Sequence, residues 1–221
     1  MSLVVVKVGG AVAGDSAATI IALSLRHSVC VVHGAGPQIS AEMARLGIQV
    51  EFDGGRRITS AGGLEVVRRC LAEVNAEICA LLGERAVPFF GDEIGLRATP
   101  VPELGLVGEA IPSRPQAVVE ALASGRIPVV APLATGPLNV NADDAAAALA
   151  IGLGAERLHF LTDVPGLLLG GAVASAIAAS DAERLLDGGA LAGGIVPKLR
   201  AAIGAVRGGV EAEIGTTAVL A

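Results

Sequence analysis

Two β-branched runs near the start of the chain each stop at a glycine-rich turn, and that pairing limits the possible folds more than any other feature of the sequence. Leu3–Val8 is apolar except for Lys7 and runs directly into Gly9-Gly10; Val29 to His33 runs into Gly34-Ala35-Gly36-Pro37. A continuous apolar run of this length reads as a strand buried on both faces. Stretches of helical spacing follow, at Pro37 to Leu46 and at Ala61–Leu82, where Leu64, Val67, Leu71, Val74, Ile78 and Leu81 recur three or four residues apart. Strand-turn-helix alternation of this kind predicts an α/β sheet.

The same pattern continues. Further strands are expected at Ile127–Ala131, Arg157 to Thr162 and Thr217–Leu220, and short strands and hairpins at Val87 to Thr99 and Val101 to Ile111. Helices are expected at Pro115 to Ser124, Ala142 to Ile151, Asp181 to Asp187 and Val196 to Val206. A soft boundary at Ala134 to Pro137 divides an N-terminal lobe, residues 1–134, from a C-terminal lobe, residues 135–221, with one sheet running through both.

Composition removes several functional classes. A net charge of −6 and a pI near 5.1, with no basic run, argue against a nucleic-acid binder, which needs clustered cations to displace counterions. The longest apolar stretches are broken by Gly and Ser and fall short of the roughly 20 residues a bilayer requires. No basic region precedes the first apolar run, as a secretory signal would demand. Cys30, Cys70 and Cys79 share no metal-type spacing and read as reduced, buried thiols of a cytoplasmic protein.

Of 16 basic residues only Lys7 and Lys198 are lysine; the other 14 are arginine. Each lysine stands beside a Gly-Gly pair, Gly9-Gly10 and Gly193-Gly194. A compact ammonium enters a tight phosphate site where a planar guanidinium does not, so these are the positions where exchange for arginine should fail. Glycines beside them let backbone N–H groups approach an anion, and the turn at Gly34-Ala35-Gly36 presents a helix N-terminus for the same purpose. In Leu138 to Asp144, Asn141 or Asp143 fits a helix N-cap, while Asn139 and Asn141 lie two apart and point the same way in an extended segment. Arg56 or Arg57, in Gly54-Gly55-Arg56-Arg57-Ile58-Thr59, is a candidate clamp for a carboxylate. His33 is taken as structural, because an ionised carboxylate accepting a phosphoryl group needs no general base.

In their order along the chain, these segments resemble the amino acid kinase family, and within it the branch that phosphorylates N-acetylglutamate. The resemblance runs from Val4 to about Arg207 and includes Leu104 to Glu109, Leu161 to Gly166 and Gly193 to Lys198. It implies a three-layer αβα sandwich with a mainly parallel sheet, the acidic substrate in the N-terminal half and ATP, carrying Mg²⁺, in the C-terminal half. By position, Lys7 and Lys198 would neutralise the transferring phosphoryl group and Asp143 would hold both lysines. Ala35, Gly36, Arg57, Asn139 and Asn141 would bind the acidic substrate; Gly9, Gly10, Thr162, Asp163, Gly166 and Gly194 would border the nucleotide. The product would be an acyl phosphate on the way to arginine. Rivals are a kinase for carrier-protein-bound aminoadipate or glutamate, and a non-catalytic relative with an incomplete nucleotide site.

The resemblance carries further expectations. Ala35 stands where the family places a glycine, adding a methyl near the substrate. The segment after Gly166 lacks a polar hairpin, and a strand and helix beside the nucleotide are expected to be absent from the short C-terminus. With no helix ahead of the first strand, a cytoplasmic homodimer insensitive to arginine is expected.

Overall fold

The computed structural model describes residues 1–9 and 13–221; Gly10, one of the expected nucleotide contacts, lies outside the described residues. An eight-stranded sheet runs in the order Ala176–Ala178, Thr217–Leu220, Glu211–Ile214, Arg157–Leu161, Leu3–Val8, Ser28–His33, Ile127–Ala131, Ala86–Phe90. Every adjacent pair is parallel except Glu211–Ile214 with Thr217–Leu220.

The helices are α1 (Ala13–Ser24), α2 (Gly36–Arg45), α3 (Ala61–Leu82), α4 (Gly91–Ile94), α5 (Gln116–Ala123), α6 (Ala142–Leu153), α7 (Ala179–Asp187) and α8 (Ile195–Arg207). Side-chain alternation along the strands sorts them into layers. Val4, Val6 and Val8 pack with apolar residues of α1, α2 and α3, whereas Val5 packs with α5, α6, α7 and α8 on the opposite face. The expected αβα sandwich is therefore present. Burial of a Val or Leu side chain stabilises by roughly 1.5–3 kcal/mol, so two such layers fix the strand register firmly.

Several local expectations need correction. Between Val87 and Thr99, where short strands and hairpins were expected, α4 separates the strands Ala86–Phe90 and Ala98–Pro100. There Gly91 lies so close to the Leu133 carbonyl that a Cβ would stand 2.2 Å from its oxygen, a long-range contact no local pattern reveals. Helix α1 was not anticipated, nor was the strand Glu211–Ile214. The segment after Gly166 does form a hairpin, Leu168–Leu169 with Ala172–Val173, turned by Gly170 (φ 59°) and Gly171 (φ 85°). Positive φ at both central residues is the two-residue turn whose twist matches flanking strands. Cys79 is only partly buried; Cys30 and Cys70 are fully so, and burial pushes the Cys30 thiol up to about 12.

A smaller sheet, Ala98–Pro100, Val107–Ala110, Leu138–Val140 and Leu133–Ala134, carries Asn139 to the edge of the site. A hairpin of Phe52–Asp53 and Arg56–Arg57, turned by Gly54 (φ 54°) and Gly55 (φ 84°), brings Arg57 to it from another side. Among the described residues no helix is long and apolar enough to cross a membrane.

Candidate active site

Lys7 occupies an odd position of its strand, on the same side as Val5, and so faces the layer that contains α6. It pairs in register with Val32 on one side and Phe160 on the other, which places an ammonium near the middle of the sheet at 5% exposure. A charge so deeply buried requires a partner. Asp143, in the first turn of α6, supplies it: Oδ1 lies 2.7 Å from Lys7 Nζ. Helix α6 starts where it does because Asn141 caps it, its Oδ1 accepting from the backbone N–H groups of Asp143 (2.8 Å) and Asp144 (3.4 Å).

Lys198 reaches the same carboxylate from α8. Pro197 sits in the first turn of that helix, and Lys198 Nζ donates to the Gly194 carbonyl at 3.1 Å while standing 3.9 Å from Asp143 Oδ2. Burial lowers the Lys198 pKa and nearby Lys7 lowers it further, whereas Asp143 draws it back up. One carboxylate thus lies between two ammonium groups, using a different oxygen for each.

The structure separates the two candidate arginines. Arg56 is held by protein acids, Glu109 at 2.7 Å and Asp144 at 3.5 Å. Arg57 is buried at 7% exposure and has no carboxylate partner among the described residues. Its Nη2 donates to Ser40 Oγ (2.8 Å) and the Gly36 carbonyl (3.3 Å), its Nη1 approaches Met43 Sδ, and the Phe52 ring centre lies 4.6 Å from the guanidinium carbon. A buried guanidinium supported only by neutral groups is suited to an incoming carboxylate.

The backbone around α2 adds donors. No side-chain hydrogen bond caps this helix at Ala35, and its first residue, Gly36, borders the cavity with open space around its Cα. Ala35 at the cap has φ −143°, which alanine adopts freely, and it is 2% exposed within the apolar cluster that includes Ile39 and Met43. The expected intrusion of its methyl is therefore modest, although Ala35 does border the cavity. His33 faces the other way: Asn75 of α3 lies 3.0 Å from its Nε2, and burial, helped by Lys7, lowers its pKa to about 4. It is a neutral, structural imidazole.

Two cavities meet at Lys198. The first, about 440 Å³, is lined by Lys7, Gly9, Ala35, Gly36, Arg57, Asn139, Asn141 and Asp143. The second, about 460 Å³, has Val164, Leu167, Leu168, Leu191 and Ile195 in its walls, and of the two cavities Gly166 borders only this one. Thr162, Asp163, Gly194 and Lys198 border both. Lys7, Arg57 and Asp143 border only the first cavity, and Lys198 stands where the two meet. Asn141 serves chiefly as the α6 cap, with its amide 3.4 Å from the Gly55 carbonyl, so its part in the cavity is secondary. Sequence reasoning named no role for Phe52 or for buried Thr59, although Thr59 ends the Gly-Arg-Arg-Ile-Thr motif.

Residues 2–216 match the family model described as "Amino acid kinase family". The chain belongs to that family. Among curated amino acid kinase relatives, it is 43% identical over 224 residues to acetylglutamate kinase of Rubrobacter xylanophilus, covering 97% of this chain and 88% of that one. It is also 43% identical to acetylglutamate kinase of Saccharopolyspora erythraea, covering 94% and 77%. Among solved structures, smu.665 from Streptococcus mutans superposes with a TM-score of 0.88 at 26% identity, covering 99% and 98%. Carbamate kinase from Giardia lamblia bound to AMP-PNP superposes at 0.71 with 17% identity over 99% and 98%, a likeness of fold alone.

Proposed function

We propose that this amino acid kinase transfers the γ-phosphoryl group of ATP to the side-chain carboxylate of N-acetyl-L-glutamate, giving N-acetylglutamyl 5-phosphate for arginine biosynthesis. The observation that carries the reading is the single carboxylate of Asp143 between Lys7 and Lys198, in the first cavity where Lys198 opens onto the second. Two ammonium groups against one carboxylate leave one positive charge in surplus, aimed at the place where phosphoryl charge develops. Preorganised charge of this kind is the main contribution a protein makes to phosphoryl transfer.

In this reading Arg57 and Asn139 hold the α-carboxylate and amide end of the acid in the first cavity. The side-chain carboxylate then lies near Lys7 and the α2 amides. A carboxylate oxygen attacks the γ-phosphorus, the bond to the β-phosphate oxygen breaks, and ADP leaves. No proton moves, which agrees with the neutral His33 turned to the opposite face. Lys7 and Lys198 neutralise the transferring group, and Gly9, Gly36 and Gly194 allow backbone N–H groups close to it. The walls of the second cavity, including Gly166, Thr162 and Asp163, receive the nucleotide. Mg²⁺ would arrive on the phosphates, since such ions keep several waters and use one or two carboxylates; Asp163, which borders both cavities, is a carboxylate suited to it, and the ion would add charge neutralisation.

The same proposal places acid binding and dimerisation in residues 1–134 and nucleotide binding in residues 135–221, with Asn139 and Asp143 reaching across. It includes a homodimer in the cytoplasm. A coupled ADP-release assay over N-acetylglutamate, glutamate and aspartate, with hydroxylamine trapping of the acyl phosphate, tests the reaction. ATP binding without turnover of any of the three would overturn it.

A further inference from the structure

Thr59 is wholly buried, borders neither cavity, and yet touches both halves of the acid-binding end. Its hydroxyl donates to the Arg57 carbonyl at 2.7 Å and accepts from Asn139 Nδ2 at 3.0 Å. A hydroxyl has one proton, and here the proton is spent on Arg57. Towards Asn139 the oxygen can therefore only accept, which fixes the amide with its nitrogen towards Thr59. Reversing that amide would set two oxygens against each other.

The backbone around Thr59 is equally constrained. Its N–H donates to the Leu104 carbonyl, its own carbonyl accepts from Leu106, and the Leu106 carbonyl accepts from Asn139 N–H. Gly105 makes this approach possible: at φ 82° a Cβ would stand 2.4 Å from the Thr59 oxygen. Thr59 thus lies where the arginine hairpin, the Leu104–Leu106 segment and the Asn139 strand meet.

We propose that Thr59 is a positioning residue for the acidic substrate: it sets the orientation of the Asn139 amide and the path of the backbone at Arg57, and so determines how the two present themselves to the acid. With one amide proton held by Thr59, Asn139 keeps its other N–H and its Oδ1 for the ligand. The nucleotide cavity has no share in this network. The inference rests on the proposed kinase reading, and the experiment separates the two.

Wild-type turnover of N-acetylglutamate comes first; its absence counts against the kinase reading. Given turnover, Thr59→Val keeps the shape and removes the hydroxyl, whereas Thr59→Ser keeps the hydroxyl. We expect T59V to raise KM for N-acetylglutamate about tenfold or more with KM for ATP within about twofold of wild type, and T59S to return the acid KM to within about threefold. Because Thr59 acts in part through Asn139, T59V should raise the acid KM by a smaller factor in N139A than in the wild type. An unchanged acid KM in T59V, an equal rise for ATP, failure of T59S to restore binding, or additive effects in the double variant would overturn the proposal. Should T59V not fold, T59A read against T59S by the same two KM values decides the matter.

Discussion

Replacing Asp143 by Asn is the sharpest probe of the site, because the change is nearly isosteric and removes the one charge that both lysines share. Asp143 is 4% exposed and Lys7 5%, so little water can take its place. Two unit charges 4 Å apart interact by about 4 kcal/mol at an effective dielectric of 20, and the Lys7 contact at 2.7 Å is closer than that. Breaking a buried pair from one side costs about 3–5 kcal/mol in stability. Misplacing one preorganised charge costs about 10²–10³ in kcat. The titration of Lys198 adds a second readout. Burial already lowers its pKa and Asp143 opposes that shift, so the Asn variant should lower it further. Activity needs the ammonium form and falls as pH rises through this pKa. The alkaline limb of kcat should therefore move to lower pH in D143N. Coupled ADP-release measurements across pH, with denaturant unfolding in parallel, check both effects. A kcat within about tenfold of wild type and an unmoved alkaline limb would refute the assignment of Asp143 as the shared partner.

Other outcomes follow from the same geometry. Lys7→Arg and Lys198→Arg should each lower kcat about a hundredfold or more while circular dichroism stays native, since the guanidinium cannot reproduce a compact charge. Arg57→Gln should raise KM for the acid by about tenfold or more and leave KM for ATP unchanged, by steady-state kinetics with each substrate varied. His33 has its folded pKa lowered to about 4, so the unfolded chain binds the proton more readily and stability falls as pH drops from about 6.5 towards 4. Between pH 7.5 and 5 this loss is about 2 kcal/mol by guanidinium unfolding, and His33→Asn should flatten the slope. Gly105→Ala combines a left-handed φ of 82° with a backbone collision and should cost more than about 1 kcal/mol, read from the shift of the unfolding midpoint.

The parts of this fold that were legible in the sequence are those where both faces of an element are buried, or where glycine marks a turn. Ile127–Ala131 is apolar throughout, and Leu3–Val8 everywhere but at Lys7, because helices cover them on both sides. Glu211–Ile214 escaped notice for the opposite reason. Ala212 and Ile214 pack inward, while Glu211 and Glu213 face Arg157 and His159 across the neighbouring strand, so no apolar run forms. Helix α1 is built largely of small residues, with Ile20 as its one large fully buried side chain among those described, and carries almost no periodic signal. At the site, lysine usage and the Gly-Gly pairs singled out both ammonium groups. The residue pattern alone left Arg56 and Arg57 open and only the resemblance chose Arg57; what separates them is Glu109 and Asp144, distant in sequence, which engage Arg56 and not Arg57. Thr59 was hidden likewise: its value lies in partners 2 and 80 residues away.

The alternation that turns Lys7 towards α6 and Val6 towards α3 also says what kind of genetic change this protein can survive. Deleting or inserting one residue between Leu3 and Lys7 would turn the ammonium into the valine layer, away from Asp143, and turn a valine out into the site. No substitution elsewhere could restore both surfaces at once, whereas a two-residue change keeps the parity. The first strand should therefore tolerate conservative exchange at nearly every apolar position and no single-codon insertion or deletion at all.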